Sequence, residues 1–237
     1  MFFPKRIRGI RAGDRVLEIG PGGHPHPRAD VLLERRFLDE KEAFHQRGHE
    51  NGPPAHTALV LYDGGRFPFR DRSFDYVICS HVLEHVHNVD AFLAEVSRVA
   101  HRGYIEFPTV FYDYLYNFPE HEMLLYADPD RHFVRWMPKA DSSLLQFKPI
   151  QAFFYESLLK GYDEVVWHFM PLFFQGFEFT SPLASMRVRS FEELLPTSPQ
   201  TEYPSRDVSK MFRDWAKFNV KMVSKIVRRL VKKCCGK

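Results

Sequence analysis

The sequence predicts an α/β fold built on a doubly wound, mostly parallel β-sheet of about seven strands. Short apolar runs recur along the chain, turns rich in glycine or proline end several of them, and a segment with helical spacing separates two of them. The 237 residues are 44% hydrophobic and 27% charged, which is enough apolar material for one α/β domain and excludes collagen-like and disordered classes.

Five apolar runs in the first half of the chain are the predicted core strands. They are residues 15–19, 30–34, 57–62, 74–79 and 104–107. Between the last two, Val89, Phe92, Leu93, Val96 and Val99 repeat with the period of a helix. Near-continuous apolar strands that alternate with loops and a helix are typical of a parallel sheet covered on both faces.

An insertion at about residues 109–160 interrupts this alternation. We predict a hairpin over residues 123–137, which turns at Asp128-Pro129-Asp130, followed by a helix over 150–160 and further strands over 164–169 and 174–180. Residues 104–179 contain 21 of the 36 aromatic residues, more than packing alone usually requires, so this part of the chain is expected to line a pocket.

The charge is concentrated at the end of the chain. We divide the sequence into a domain at 1–195, a linker at 196–206 and an amphipathic helix at 207–237. The last segment carries ten Lys/Arg and two Asp, a charge of +8, which leaves −5 for the rest. A groove for nucleic acid in the body is therefore not expected. The basic helix either contacts an anionic membrane surface or docks on the acidic body.

The cysteine pattern and the N-terminus favour a cytoplasmic protein. Cys79 lies in an apolar run and Cys234 is adjacent to Cys235, which is no framework of disulfides. The first residues lack the apolar stretch of a signal peptide, and no run of 18 uncharged apolar residues is present. We expect a cytoplasmic location, with peripheral membrane contact through the basic tail.

The glycine-rich turn after the first strand, Gly20-Pro21-Gly22-Gly23, is the first candidate binding element. Glycine there lets the backbone approach a ligand closely. A dinucleotide-binding turn of the form G-x-G-x-x-G/A would need a glycine or alanine where Pro25 stands, so a nicotinamide-dependent oxidoreductase is disfavoured.

Three segments resemble the class I S-adenosylmethionine-dependent methyltransferases, and among them the methyltransferase-11-like group. Residues 16–22 (VLEIGPG) resemble their motif I, residues 63–86 resemble the stretch from the third strand to the fourth helix, and residues 98–106 resemble the approach to the fifth strand. The resemblance covers about residues 15–108 and implies a Rossmann-like fold with S-adenosylmethionine as co-substrate.

The resemblance also implies a set of residues around that co-substrate. Glu18 would lie near its amino group, Glu34 (or, second, Asp39) would accept from the ribose hydroxyls, and Asp63 would accept from the adenine amino group. The full set of predicted contacts is Glu18, Gly20, Gly22, Glu34, Asp63, Gly64, Ser80 and His81. The usual first helix is replaced by His24-Pro25-His26-Pro27-Arg28, which departs from the family.

Three histidines are candidate catalytic bases for an acceptor hydroxyl. His81 ends the fourth strand, His85 follows it, and His121 lies between two glutamates, either as an oriented imidazole or in a solvated loop. No amino-methylating Asn/Asp-Pro-Pro-aromatic string is present, so we expect O-methylation of a small or glycan-type acceptor. His24 and His26 lack further ligands at metal spacing, and we expect no metal site.

A second hypothesis is a module that binds S-adenosylmethionine or S-adenosylhomocysteine without catalysis, and whose tail contacts a membrane or a partner. The departures around residues 24–28 keep this alternative open. It differs from the enzyme in one observable: the module binds the co-substrate and shows no turnover with any acceptor.

Overall fold

The computed structural model describes residues 1–37 and 57–196. Two predictions lie outside these residues: Asp39 as the second ribose contact, and the linker and basic helix beyond residue 196. Among the described residues, no helix is long and apolar enough to cross a bilayer.

The central sheet has six strands in the order β3-β2-β1-β4-β5-β8. Its strands are β1 (Val16–Ile19), β2 (Val31–Arg35), β3 (Ala58–Tyr62), β4 (Tyr76–Ser80), β5 (Arg102–Pro108) and β8 (Phe174–Thr180). The first five are parallel, and β8 runs antiparallel to β5. The prediction of a Rossmann-like, mostly parallel sheet is confirmed, with six strands in place of about seven.

A separate three-stranded sheet takes up part of the inserted segment. It consists of β6 (Met123–Asp128), β7 (Phe133–Pro138) and β9 (Ala184–Arg187) in the order β6-β7-β9. The first two strands pair antiparallel around a 3₁₀ turn at Pro129–Arg131, which confirms the predicted hairpin.

Six α-helices accompany these strands in the described part of the chain. They are α1 (Val89–Val99), α2 (Val110–Tyr116), α3 (Lys148–Leu159), α4 (Glu164–His168), α5 (Met170–Phe173) and α6 (Phe191–Leu194). The predicted helices at 89–99 and 150–160 are confirmed. The strand predicted at 164–169 is wrong, because Glu164–His168 form α4, which buries only Val166.

Helix α1 is positioned by its cap and its apolar face. The side chain of Asn88 accepts a hydrogen bond from the Ala91 amide at 3.0 Å, which satisfies one of the amides that a helix start leaves unpaired. Its apolar residues are buried in the same core as the strands of the central sheet. A separate apolar cluster forms where Ile7 and Ile10 of the N-terminal segment pack against Val16 and Tyr76 of the central sheet.

The strand order reverses between β1 and β4, which both neighbour the centre of the sheet. In open parallel sheets, ligands bind beyond the carboxyl ends of the strands at such a reversal. Here Gly20 follows β1 and His81 follows β4, so two of the predicted site residues lie at this point of the fold.

Candidate functional site

The glycine turn after β1 has a backbone that only glycine adopts readily. Gly20 has φ of 62° and Gly22 has φ of 57°. A Cβ added to Gly20 would lie 2.4 Å from Cγ2 of Val82, closer than two carbon atoms can approach. The glycine at this position is therefore required by the turn and by the segment after β4, in addition to any ligand.

A cavity of about 700 Å³ opens beyond the carboxyl ends of the strands. This volume lies within the ~300–1,000 Å³ that is usual for small-molecule sites. Its lining runs from the glycine turn along β2 and β3 to the segment between β4 and α1. The lining residues are Ile19, Gly20, Gly22, Leu33, Glu34, Arg35, Phe37, Tyr62, Asp63, Gly64, Gly65, Arg66, His81, Val82, His85, Val86, His87, Asn88, Ala91, Phe92, Ala94 and Glu95.

Seven of the ten predicted site residues line this one cavity. They are Gly20, Gly22, Glu34, Asp63, Gly64, His81 and His85. The glycine turn and Asp63, which are 43 positions apart in sequence, thus face a common space, as the resemblance implies. Glu18, Ser80 and His121 are not among the described lining residues.

Glu34 and Asp63 present carboxylates to the cavity in different settings. Glu34 is buried at the end of β2, where its Oε1 accepts from the Arg35 amide at 3.1 Å. Asp63 follows β3 with its side chain 80% exposed, and its Oδ1 accepts from Nε of Arg36 at 2.9 Å. A buried and an exposed acid therefore stand at the ends of neighbouring strands.

Glu18 holds the loop that replaces the usual first helix. Its carboxylate is buried and accepts from the His26 amide at 2.7 Å. Burial raises the pKa of Glu18 to about 7, although that hydrogen bond opposes the shift. Its role as a contact of the amino group stays a prediction, and residues 20–30 form turns in place of a helix.

At the end of β4, His81 has a left-handed backbone with φ of 58° and lies between two buried carboxylates. Its Nε2 is 3.1 Å from Oε1 of Glu106, and its Nδ1 is 3.4 Å from Oε1 of Glu84. Burial lowers the pKa of His81, but the hydrogen bond to Glu106 and the negative charges of the two acids outweigh burial and raise the pKa overall. A protonated imidazole here donates hydrogen bonds and does not accept a proton.

Glu106 is the residue of this region that sequence reasoning missed. Its carboxylate is fully buried on β5 and accepts from Ser80 Oγ, Tyr104 Oη and the amides of Phe2 and Phe3 at 2.6–3.1 Å. Burial raises its pKa, but these donors and His81 lower it to about 2. An acid in the middle of an otherwise apolar strand is the signal that marks it in the sequence.

His121 is buried, so it does not lie in the solvated loop that the sequence left open as an alternative. Its Nδ1 is 2.9 and 3.0 Å from the two carboxylate oxygens of Asp113 on α2. Burial lowers the pKa of His121, but Asp113 and Glu84 raise it overall. The oriented imidazole that the sequence allowed is thus oriented by Asp113, eight residues earlier, rather than by its neighbours in sequence.

Aromatic residues of the insertion and of the segment that follows it form a separate core. Tyr112, Tyr116, Phe173 and Phe174 are buried together, with further rings packed against them. The described lining of the cavity contains no residue from 109–160. These rings stabilise the segment behind His81 and His121, and a pocket lined by the insertion stays a prediction.

Comparison with known proteins gives a match in this part of the chain. A family model described as a methyltransferase domain matches residues 17–105, from β1 to β5. No curated protein matches the sequence.

Several solved structures are similar to the chain. An S-adenosylmethionine-dependent methyltransferase from Mesorhizobium loti is 21% identical over 42% of this chain and 48% of its own, with a TM-score of 0.32. The YcgJ protein from Bacillus subtilis is 23% identical over 46% of this chain and 52% of its own, with a TM-score of 0.33. A SAM-dependent methyltransferase from Aquifex aeolicus is 17% identical over 43% of this chain and 60% of its own, with a TM-score of 0.30. The chain spans about half the length of these proteins.

The matched residues include the glycine turn, the Asp63 turn and the end of β4. The match also overlaps the three segments at which the sequence resembles the family, and residues of the first two of these segments line the cavity. Residues 17–105 are therefore similar to a methyltransferase domain.

Proposed function

We propose that this protein transfers a methyl group from S-adenosylmethionine to a hydroxyl oxygen of a small or glycan-type acceptor. One observation carries the proposal: a single cavity is lined at one side by the glycine turn, Glu34 and Asp63, and at another by His81 and His85. Nucleoside-binding groups and groups that handle protons thus share one space.

The residues present fit the co-substrate. Carboxylate oxygens accept hydrogen bonds, which suits Glu34 to ribose hydroxyls and Asp63 to the adenine amino group. The turn at Gly20 and Gly22 has no side chain to obstruct a ligand that lies against the backbone. S-Adenosylmethionine supplies an electrophilic methyl group, and the chain's part is to align the acceptor with it. Alignment of this kind is worth ~7–11 kcal/mol.

The acceptor hydroxyl must lose its proton as its oxygen forms the bond to the methyl carbon and the carbon–sulfur bond breaks. His85 is the predicted base that lines the cavity with a defined tautomer. Its Nδ1 is 2.9 Å from the carbonyl oxygen of Glu120, which can only accept, so Nδ1 carries a proton and Nε2 is the nitrogen that holds the lone pair in the neutral ring. A positioned base of this kind contributes ~10²–10⁴-fold.

Calorimetric titration with S-adenosylmethionine and S-adenosylhomocysteine tests the binding part. We expect Asp63→Ala to weaken binding about tenfold or more, since a hydrogen bond to a charged group is worth ~1.5–3 kcal/mol. Asp141→Ala is the matched control, because Asp141 also forms an exposed pair with an arginine but lies outside the cavity. Absence of heat with both ligands would refute the proposal.

Turnover separates the enzyme from the binding module. Labelled donor is incubated with the protein and fractions of a cell extract, and uptake of label is followed in each fraction. Label in a hydroxylated small molecule or glycan supports O-methylation. Binding of the donor without label in any fraction supports the module.

The basic tail supports a proposal on location. With +8 over residues 207–237, and each basic residue near an anionic surface worth ~1 kcal/mol, we propose that the protein works in the cytoplasm with its tail at a membrane surface. The full chain should sediment with anionic vesicles and not with neutral ones. Replacement of Lys225, Arg228, Arg229 and Lys232 by Gln should abolish that difference.

A further inference from the structure

Glu84, His85 and His121 form a compact group next to the cavity. One donor atom from each lies within 4.8 Å of the donor atoms of the other two. Glu84 and His85 belong to the 3₁₀ turn Leu83–His85 after β4, and His121 precedes β6. The Glu122 amide donates to the Glu84 carbonyl at 2.8 Å, which holds the two segments together.

Glu84 is a buried acid with unsatisfied oxygens. The residue is 1% exposed, and neither of its carboxylate oxygens has a hydrogen-bond partner among the described residues. Two imidazole nitrogens lie near its Oε1, Nδ1 of His81 at 3.4 Å and Nε2 of His85 at 3.9 Å. A buried carboxylate without hydrogen bonds is costly, and both oxygens of Glu84 lack one, so they are available to a metal ion beside the imidazoles.

Both histidines of the group have Nδ1 already engaged. Nδ1 of His85 donates to the Glu120 carbonyl oxygen, and Nδ1 of His121 donates to the buried carboxylate of Asp113. Each ring is therefore left with Nε2 for another partner. Histidines that bind metals usually donate their second nitrogen to a carboxylate or a carbonyl in this way, which fixes the tautomer and the ring orientation.

We propose that Glu84, His85 and His121 bind one divalent transition-metal ion of the zinc type. Two imidazole nitrogens and one carboxylate oxygen suit Zn²⁺, Co²⁺, Mn²⁺ or Fe²⁺, whereas Mg²⁺ and Ca²⁺ favour oxygen donors throughout. Bonds of ~2.0–2.2 Å draw the three donors closer together than they stand without the ion.

The ion has access to the cavity through His85, whose side chain is 21% exposed and belongs to the lining. Three protein ligands leave at least one position open, as in catalytic zinc sites. This part of the inference rests on the proposed function: the open position takes the acceptor hydroxyl and lowers its pKa. His85 is then a ligand and not the base, and the hydroxyl proton leaves to solvent before the oxygen displaces S-adenosylhomocysteine from the methyl carbon.

The test is metal binding by the full chain, measured without any activity assay. The protein is stripped with a chelator and titrated with ZnCl₂ by calorimetry and with CoCl₂ by visible absorption, and retained metal is counted by mass spectrometry. We expect one equivalent per chain. His85→Ala and His121→Asn should lower the affinity at least tenfold, and Asp113→Asn by roughly 10- to 100-fold, as is usual for the partner of a metal-bound histidine.

His168→Ala is the matched control, because Nδ1 of His168 also contacts a carbonyl, that of Glu164 at 2.8 Å, but His168 is outside the group. It should bind the metals as the unmodified chain does. His85 is partly exposed, so His85→Ala should fold, and circular dichroism of the stripped protein checks this. Absence of one tight equivalent in the unmodified chain, or equal binding by a folded His85→Ala, overturns the proposal.

Failure of the two proposals can be told apart. If zinc binds at these residues but S-adenosylmethionine does not bind, the metal site stands and the proposed function fails. If S-adenosylmethionine binds but zinc and cobalt do not, the metal site is overturned, and the histidines and Asp113 are an ion-pair network beside a methyltransferase cavity.

Discussion

Gly20 illustrates how a single residue serves both fold and site. Sequence reasoning explained the glycine by the approach of a ligand, and that role stays a prediction. The structure adds a reason that no local pattern contains, because the contact with Val82 joins positions 62 residues apart. The identity of the residue was predictable, and the second cause of its requirement was not.

Gly20→Ala should destabilise the protein by about 2 kcal/mol or more. A left-handed backbone costs an L-residue ~1–2 kcal/mol, and the added Cβ overlaps Val82. Denaturant unfolding measures the loss. Gly13→Ala, at a position with no atom within 4 Å of the new Cβ, is the control and should stay within ~0.5 kcal/mol. Val82→Ala should restore part of the loss, and a neutral Gly20→Ala would contradict the steric argument.

Glu18 makes stability depend on pH around neutrality. Its pKa is about 7 in the folded state and 4.5 ordinarily, so the folded chain holds this proton to higher pH than the unfolded chain does. The free energy of unfolding should therefore fall as pH rises from about 4.5 through 7, by ~3 kcal/mol in all. Glu18→Gln should remove this slope, and parallel curves for the two proteins would show that the pKa of Glu18 is the same in the folded and unfolded states.

At the scale of elements, the apolar runs predicted all five parallel strands. Strands buried on both faces leave a continuous apolar record, as β1 and β4 do, whereas β3 at the sheet edge is apolar although Leu59 and Leu61 are exposed. The prediction failed at residues 164–169, where an apolar run this short fits a strand or a helix equally. A local contact supports the helix here, because Trp167 Nε1 donates to Asp163 Oδ2, one helical turn earlier, at 2.9 Å.

The N-cap of helix α1, Asn88, allows the stability of this helix to be tested by substitution. Asn88→Ala removes the hydrogen bond to the Ala91 amide and should cost about 1 kcal/mol, whereas Asn88→Asp keeps an acceptor and should be nearly neutral. Because α1 carries Phe92, Leu93 and Val96 into the main core, the loss should appear in global unfolding. Equal stability of the two variants would mean that another group caps the helix.

For the molecule as a whole, the sequence predicted the parts of the site that follow consecutive strands, and missed those assembled by distant segments. Gly20, Glu34, Asp63 and His81 each come just after or at the end of a strand, so topology alone brings them to one edge. The pairing of His121 with Asp113, and the position of Glu84 against both histidines, depend on how the insertion folds back. No pattern in sequence records that.

Glu106 is the clearest such long-range contact, and it sets the behaviour of the molecule in acid. The carboxylate connects the segment at Phe2 and Phe3 to Tyr104 on its own strand and to the end of β4. Its pKa of about 2 lies below the ordinary 4.5, so the stability it provides is present above about pH 4.5 and is lost as pH falls toward 2. The loss amounts to ~3 kcal/mol.

Two substitutions test this prediction by acid unfolding. Glu106→Gln places an amide among the donors from Phe2, Phe3 and Tyr104, and should therefore destabilise the protein at neutral pH. It should also make the free energy of unfolding depend less on pH in acid. Tyr104→Phe removes one donor and leaves the carboxylate, so the fold should survive with its acid midpoint at higher pH. Tyr114→Phe, at an exposed tyrosine, should leave that midpoint unchanged. If Tyr104→Phe and Tyr114→Phe unfold at the same pH, the connection through Glu106 does not govern acid stability, because removal of a direct donor to a buried carboxylate has to raise its pKa.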